Sequence, residues 1–217
     1  MSRPSPTSRT ESRWPAAITV CASLGLFLLL PETLSPGPKY LVPGIELALL
    51  IPLMLANPSA ITKESTELRH VSILLIAVLN LTTIVSISFL VHDLLAGSDV
   101  AGQDLIRAGI ALWITLVTGF ALTFWELDRG GPQARTRDEQ RVPDFLFTQM
   151  TNPSHTHHNW APRFVDYAYL SLTNAIAFSP TDTLPLTPRA KFLMGLHSLA
   201  SFATVVIVGA RAINILR

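Results

Sequence analysis

Charge is what this chain lacks most. Asp, Glu, Lys and Arg make up 14% of its 217 residues, where a soluble domain carries about 25%. Too few charges to coat a water-facing surface, set beside 49% hydrophobic residues and a mean hydropathy of +0.40, exclude an ordinary soluble globular class. Cysteine is nearly missing as well. Cys21 stands alone inside an apolar run, which rules out a disulfide framework and a thiolate metal site and leaves packing as its role. A net charge of +1, with no basic patch interleaved with aromatics, excludes nucleic acid as a partner. Also absent are a His-Glu-x-x-His pair, a phosphate-cradling glycine loop and a nucleophile beside a base. No enzyme chemistry and no cofactor is therefore expected.

What the chain does have is long apolar runs. Residues 1–13 are Pro- and Ser-rich, carry Arg3, Arg9 and Arg13, and read as a disordered basic arm. Four runs follow in a membrane region over residues 14–126: 14–30, 41–56, 71–91 and 105–125. No small-x-small cleavage site follows the first run, so it reads as an uncleaved span, short for a bilayer and anchored by Trp14. Pro52 stands inside the second run and is expected to kink it. Glu46 lies in the same run, about a turn and a half from its start. An ionisable group in a span is a functional candidate by default, although a helix start also tolerates a carboxylate. Asn80, Thr83 and Ser86 recur at three-residue spacing in the third run and fit hydrogen bonds between helices.

Residues 127–162 form a polar loop in which 144–150 reads as a short interfacial element. His155, His157 and His158 gather there without a carboxylate or thiol at ligand spacing, so a solvated loop is the reading and no metal is assigned. The basic residues fix an orientation. With the N-terminus cytoplasmic, Arg3, Arg9, Arg13, Lys63, Arg69, Arg129, Arg135, Arg137, Arg141, Arg163, Arg189 and Lys191 fall inside, leaving Lys39, Arg107, Arg211 and Arg217 outside.

The last unit, residues 163–217, combines a half-apolar segment at 164–178, a Pro-punctuated turn and a long apolar helix. Fifteen helical residues rise about 22 Å, short of the roughly 30 Å an upright crossing needs. The fold class expected is thus an all-α integral membrane bundle of five transmembrane helices plus a re-entrant half-helix. Six transmembrane helices are the alternative, and the charge count does not separate the two.

The order S-L-T-N-A-I-A-F-S-P-T-D-T-L-P, from Ser171 to Pro185, resembles the pore helix and filter of potassium channels. In that family Thr-Val-Gly-Tyr-Gly precedes an Asp and, three residues later, a Pro. Ala177, Phe178, Ser179, Pro180 and Thr181 stand at the filter positions here, followed by Asp182 and Pro185. Both filter glycines are replaced and Pro180 fixes φ between them, so a potassium filter of the usual kind cannot form. The runs D-Y-A-Y-L-S-L-T-N, S-P-T-D-T, L-H-S-L-A-S-F and A-I-N-I-L also look like the C-terminal signature of an uncharacterised bacterial multi-pass membrane family. That resemblance implies a similar number of spans and a bacterial inner membrane, and no activity.

Two sets of residues carry the functional expectation. His197, Ser201, Thr204 and Arg211 share one face of the last helix, spaced by four, three and seven. Such a face avoids lipid and meets either other helices or water. Asp182, with the hydroxyls of Ser179, Thr181 and Thr183, is placed to supply oxygen ligands at the mouth of a polar path, supported by Asp166 and Asn174. The expected function is ion-channel-like or permease-like, with a lipid bilayer, further copies of the chain and a small cation as partners. The alternative is a non-transporting membrane scaffold or accessory subunit.

Overall fold

A computed structural model of the chain describes residues 12–56, 66–96, 102–137, 142–151, 160–177 and 182–215. Its axis is α4 (Gly102–Leu127), whose Leu112, Leu116, Phe120, Phe124 and Trp125 are all at most 2% exposed. Around it pack α1 (Trp14–Leu28), α3 (Thr66–Ala96), α7 (Phe164–Ala177) and α8 (Pro188–Ile215). The remaining long helix, α2 (Leu41–Ala56), lies mainly on α3 and secondarily on α1. The class is all-α.

Each neighbour of α4 runs antiparallel to it. Arg13 and Ala16 border the same groove as Trp125, while Ser23, farther along α1, bonds Thr118 at 2.9 Å. Ser72 near the start of α3 donates to Glu126 at 3.1 Å, and Asn80, two turns on, reaches Thr123 at 3.0 Å. The Phe164 ring meets Trp125 edge-on, and the Arg189 guanidinium reaches the Leu127 carbonyl. These approaches are close because glycine permits them. A Cβ on Gly119 would lie 2.6 Å from Leu79 Cδ2, and one on Gly109 would lie 2.4 Å from Val208 Cγ2.

Three helical stretches, Thr66–Ala96, Gln103–Gly130 and Pro188–Ile213, are long and apolar enough to cross a membrane. The first two expected spans differ from that pattern. α1 and α2 hold 15 and 16 residues and are the shorter apolar helices, rising about 22–24 Å each. Pro31 closes the first: α1 ends at Leu28, and a 3₁₀ turn at Glu32–Leu34 follows where proline forbids helix continuation. Pro52 sits inside α2 without ending it.

The short element expected at 144–150 is a strand followed by a helical turn. Phe145–Phe147 forms β1, which pairs antiparallel with β2 (Thr183–Pro185) in the register Phe145 to Pro185 and Phe147 to Thr183. Alternation explains it, since Phe145 and Phe147 point into the core at 1% and 5% exposure while Leu146 is half-buried between them. Two short helices complete this end, α5 (Pro132–Arg137) and α6 (Thr148–Thr151).

The β1–β2 pair fixes the course of the last unit. α7 and α8 both begin at the end of the bundle where α4 finishes, and β2 lies at that same end beside β1. α7 and α8 therefore run in the same direction, and β2, between them in sequence, lies at the end where both start.

Candidate functional site: a buried polar seam and an exposed turn

The expected polar face of α8 is turned inward. His197 and Ser201 are 0% exposed and Thr204 2%. Asn174 of α7 donates from its amide to the Met194 carbonyl at 3.0 Å and to His197 Nδ1 at 3.1 Å. An Nδ1 that accepts leaves the proton on Nε2, and Nε2 is buried with no hydrogen-bond partner among the described residues. The imidazole lies flat on Phe120, with centroids 4.4 Å apart, and meets Phe124 edge-on. Ser201 bridges all three helices: its oxygen accepts from Trp113 Nε1 at 2.8 Å, and its hydroxyl donates to the Ala175 carbonyl at 2.8 Å. Thr204 bonds only its own helix, at the Ala200 carbonyl. Ser171 adds one more tie from α7, to the Val117 carbonyl of α4 at 2.7 Å. Chemically this seam is a set of hydrogen bonds holding α7 and α8 to α4 in an apolar surrounding. Arg211, farther down α8, is half-buried. Glu46 is 4% exposed on α2, away from the seam.

The turn before β2 faces outward instead. Asp182 is exposed, its Oδ2 accepts from the Tyr169 hydroxyl at 3.2 Å, and its carbonyl accepts from the Thr148 hydroxyl at 2.6 Å. Thr183, next in line, is 5% exposed within β2. Ser179 and Thr181, and likewise His155, His157 and His158, lie outside the described residues. Asp166 serves the start of α7, its Oδ2 accepting from the Arg163 N–H at 2.7 Å. Thus Asn174, His197 and Ser201 come together, Asp182 stands apart from them, and Asp166 makes a local cap.

A third group was not legible in the sequence. At the end of α4 the D-R-G-G turn takes Arg129, Gly130 and Gly131 through φ of 53°, 84° and 105°, conformations that glycine adopts freely and arginine rarely. This folds the chain so that two buried carboxylates, Asp128 and Asp144, sit side by side. Asp128 accepts from the Asp144 N–H at 2.8 Å and the Tyr167 hydroxyl at 2.6 Å. Asp144 accepts from the Arg129 N–H at 3.0 Å, the Thr187 hydroxyl at 2.6 Å, and both Nε and Nη2 of Arg189. Burial on its own would raise the Asp144 pKa, but the bonds from Arg189, Thr187 and Arg129 and the nearby Arg189 charge hold it below its usual value. Arg135 caps the end of α4, donating to the Trp125 and Asp128 carbonyls with its guanidinium 5.0 Å from the centre of the Tyr167 ring. The signal available beforehand was the D-R-G-G-P run as a turn. Nothing in the spacing joins Asp128 to Asp144 or to Arg189.

Compared with family models, curated proteins and solved structures, the chain finds no match.

Proposed function

We propose that this chain is a multi-pass membrane protein of five spans plus a re-entrant half-helix, and that the unit from α7 through the 179–183 turn to α8 forms the mouth of an ion-channel-like or permease-like path. The observation that carries the reading is the course of the last unit. Two helices start at one end of the bundle, and β2, between them in sequence, lies at that same end, which in a bilayer we read as a half-helix dipping in and a chain re-emerging on the same side. Non-helical backbone at membrane depth is tolerated where it is packed in protein or borders a water-filled cavity. The exposed carboxylate of Asp182 opens away from the bundle, so in an assembly of identical copies the turns gather these carboxylates into a ring that attracts small cations. Charge distribution supports a cytoplasmic N-terminus and mouth, and the C-terminal signature described above supports a bacterial inner membrane.

The transport assay is cation uptake into liposomes holding the purified protein, compared with Asp182→Asn. Uptake that falls in the variant supports the reading; no uptake, or uptake unchanged by the variant, sinks it. The re-entrant course is tested separately with Leu184→Cys in a Cys21→Ala background. Labelling by an impermeant maleimide from the cytoplasmic side agrees with the half-helix, whereas labelling from the outside requires six spans.

One observation favours the second reading, a non-transporting scaffold. His197, Ser201 and Thr204 are wholly enclosed between helices, as groups that serve only to hold a bundle would be. Absence of flux with intact assembly is the result that selects it.

A further inference from the structure

Beside the strand pair, at the end where α4 finishes, is an open hollow of about 210 Å³ lined by Leu146, Phe147, Thr148, Thr151, Asp182 and Leu184. Its hydrogen-bonding character follows from where each hydroxyl proton goes. The Thr148 hydroxyl donates to the Asp182 carbonyl at 2.6 Å, and the Thr151 hydroxyl donates to the Thr148 carbonyl at 2.8 Å. Both side-chain protons are spent on backbone, so each threonine oxygen has only lone pairs left to offer. Asp182 is itself an acceptor, with one oxygen taking the Tyr169 proton and the other carrying no bond from a described residue. None of the described lining residues is basic. A concavity that presents side-chain acceptors and a negative charge, with its described side-chain donors used up, favours a cation over an anion.

From these observations we infer that the hollow is a binding site for a hydrated alkali cation, formed within a single copy of the chain by Asp182, Thr148 and Thr151. The inference rests on the reading of Asp182 as the mouth of the path and extends it: the cation is held first by the β1–α6 corner contributed by the polar loop, before any ring of copies is reached. The volume accommodates an ion with several of its waters, at about 30 Å³ per water. One carboxylate with neutral oxygens suits a weakly held monovalent ion. A dedicated calcium site takes six to eight oxygen ligands, several of them carboxylate.

The test is sodium-23 NMR relaxation on the full-length protein in nanodiscs of uncharged lipid, titrated with potassium chloride and, as an ionic-strength control, with N-methylglucamine chloride. Expected is excess sodium broadening that potassium displaces and N-methylglucamine does not. It should weaken about fivefold in Asp182→Asn, the scale of one exposed charge interaction, fall in Thr151→Val, and persist in Thr148→Ser, which keeps the hydroxyl. Broadening that is equal in Asp182→Asn and wild type, or that both salts displace alike, overturns the site. Thr151→Val, which keeps the charge and the strand pair, decides the matter should Asp182→Asn lose its fold. Sodium binding without liposome flux removes the transport reading and leaves the site standing. Flux that depends on Asp182 without displaceable binding does the reverse.

Discussion

Removing the Asp144 carboxylate is the sharpest perturbation the fold offers. Its side chain is 2% exposed against 53% for its partner Arg189, and it takes hydrogen bonds from the turn after α4 and from the first residues around α8. Breaking a fully buried pair costs about 3–5 kcal/mol. Arg189, being half-exposed, can turn to water in the Asp144→Ala variant, so its share falls toward the roughly 0–1 kcal/mol of a surface pair. The Arg129 N–H and Thr187 hydroxyl remain, at about 1–3 kcal/mol each when left unpaired in the interior. Asp144→Ala is therefore expected to cost about 3 kcal/mol, which for a chain of this size lowers Tm by about 6–12 °C. Thermal unfolding in detergent micelles, followed by near-UV circular dichroism and by loss of monodispersity, measures it. The double variant Asp144→Ala/Arg189→Ala should cost less than the sum of the single ones, because the pair is coupled. A shift below about 2 °C, or strict additivity, would refute the view that this carboxylate clasps α4, β1 and α8 together.

The same carboxylate sets a pH dependence. A folded pKa below the ordinary value means stability that is fully present above the unfolded pKa and lost as pH falls through the folded one, so wild type and Asp144→Asn should differ at pH 7 and converge as pH falls below the ordinary aspartate range. Gly109→Ala should destabilise by about 1–3 kcal/mol, because all three of the atoms its Cβ would meet belong to Val208, and Val208→Ala in the same chain should restore most of the loss in the same melt. His197→Ala is expected to cost about 3 kcal/mol through the void left on Phe120. His197→Phe should cost less, since it fills that space and removes the unpartnered Nε2 while Asn174 keeps the Met194 carbonyl; equal losses in the two variants would sink the stacking argument.

Periodicity was enough to find the inward face of α8, because His197, Ser201 and Thr204 repeat at the helical interval and an apolar helix has no other reason to align them. What periodicity does not carry is the partner. Trp113 comes from one distant stretch and Asn174 and the Ala175 carbonyl from another, and only packing puts them against Ser201 and His197. The shortness of α7 was legible from the sequence, 14 residues in the structure against the 15 of the expected segment. The strand pair was harder, since F-L-F followed by T-Q-M alternates too briefly to separate strand from helix. Asp128, Asp144 and Arg189 were hidden for a different reason. Charged residues in a polar loop read as solvated, and their burial depends on a backbone turn whose left-handed Arg129 no composition announces. Glu46 is deeply buried on α2, and its position away from the α4, α7 and α8 seam leaves it outside the module on which the functional reading stands.

The antiparallel set of helices around α4 has an electrostatic consequence. Each peptide dipole adds along its helix, so a helix carries roughly half a positive charge at its N-terminus and half a negative charge at its C-terminus. Because α1, α3, α7 and α8 all start where α4 ends, and α2 ends there too with Leu53 and Met54 bordering the same groove as Arg13, Ser72 and Trp125, four positive termini meet two negative ones. The excess is a positive field at that end of the bundle. The buried carboxylates Glu126, Asp128 and Asp144 lie in it, and the turn that bears Asp182 emerges at its edge. Asp182 is an exposed carboxylate at the rim of this end, so it adds to the buried negative charge there and offsets the backbone's positive excess where solvent reaches it.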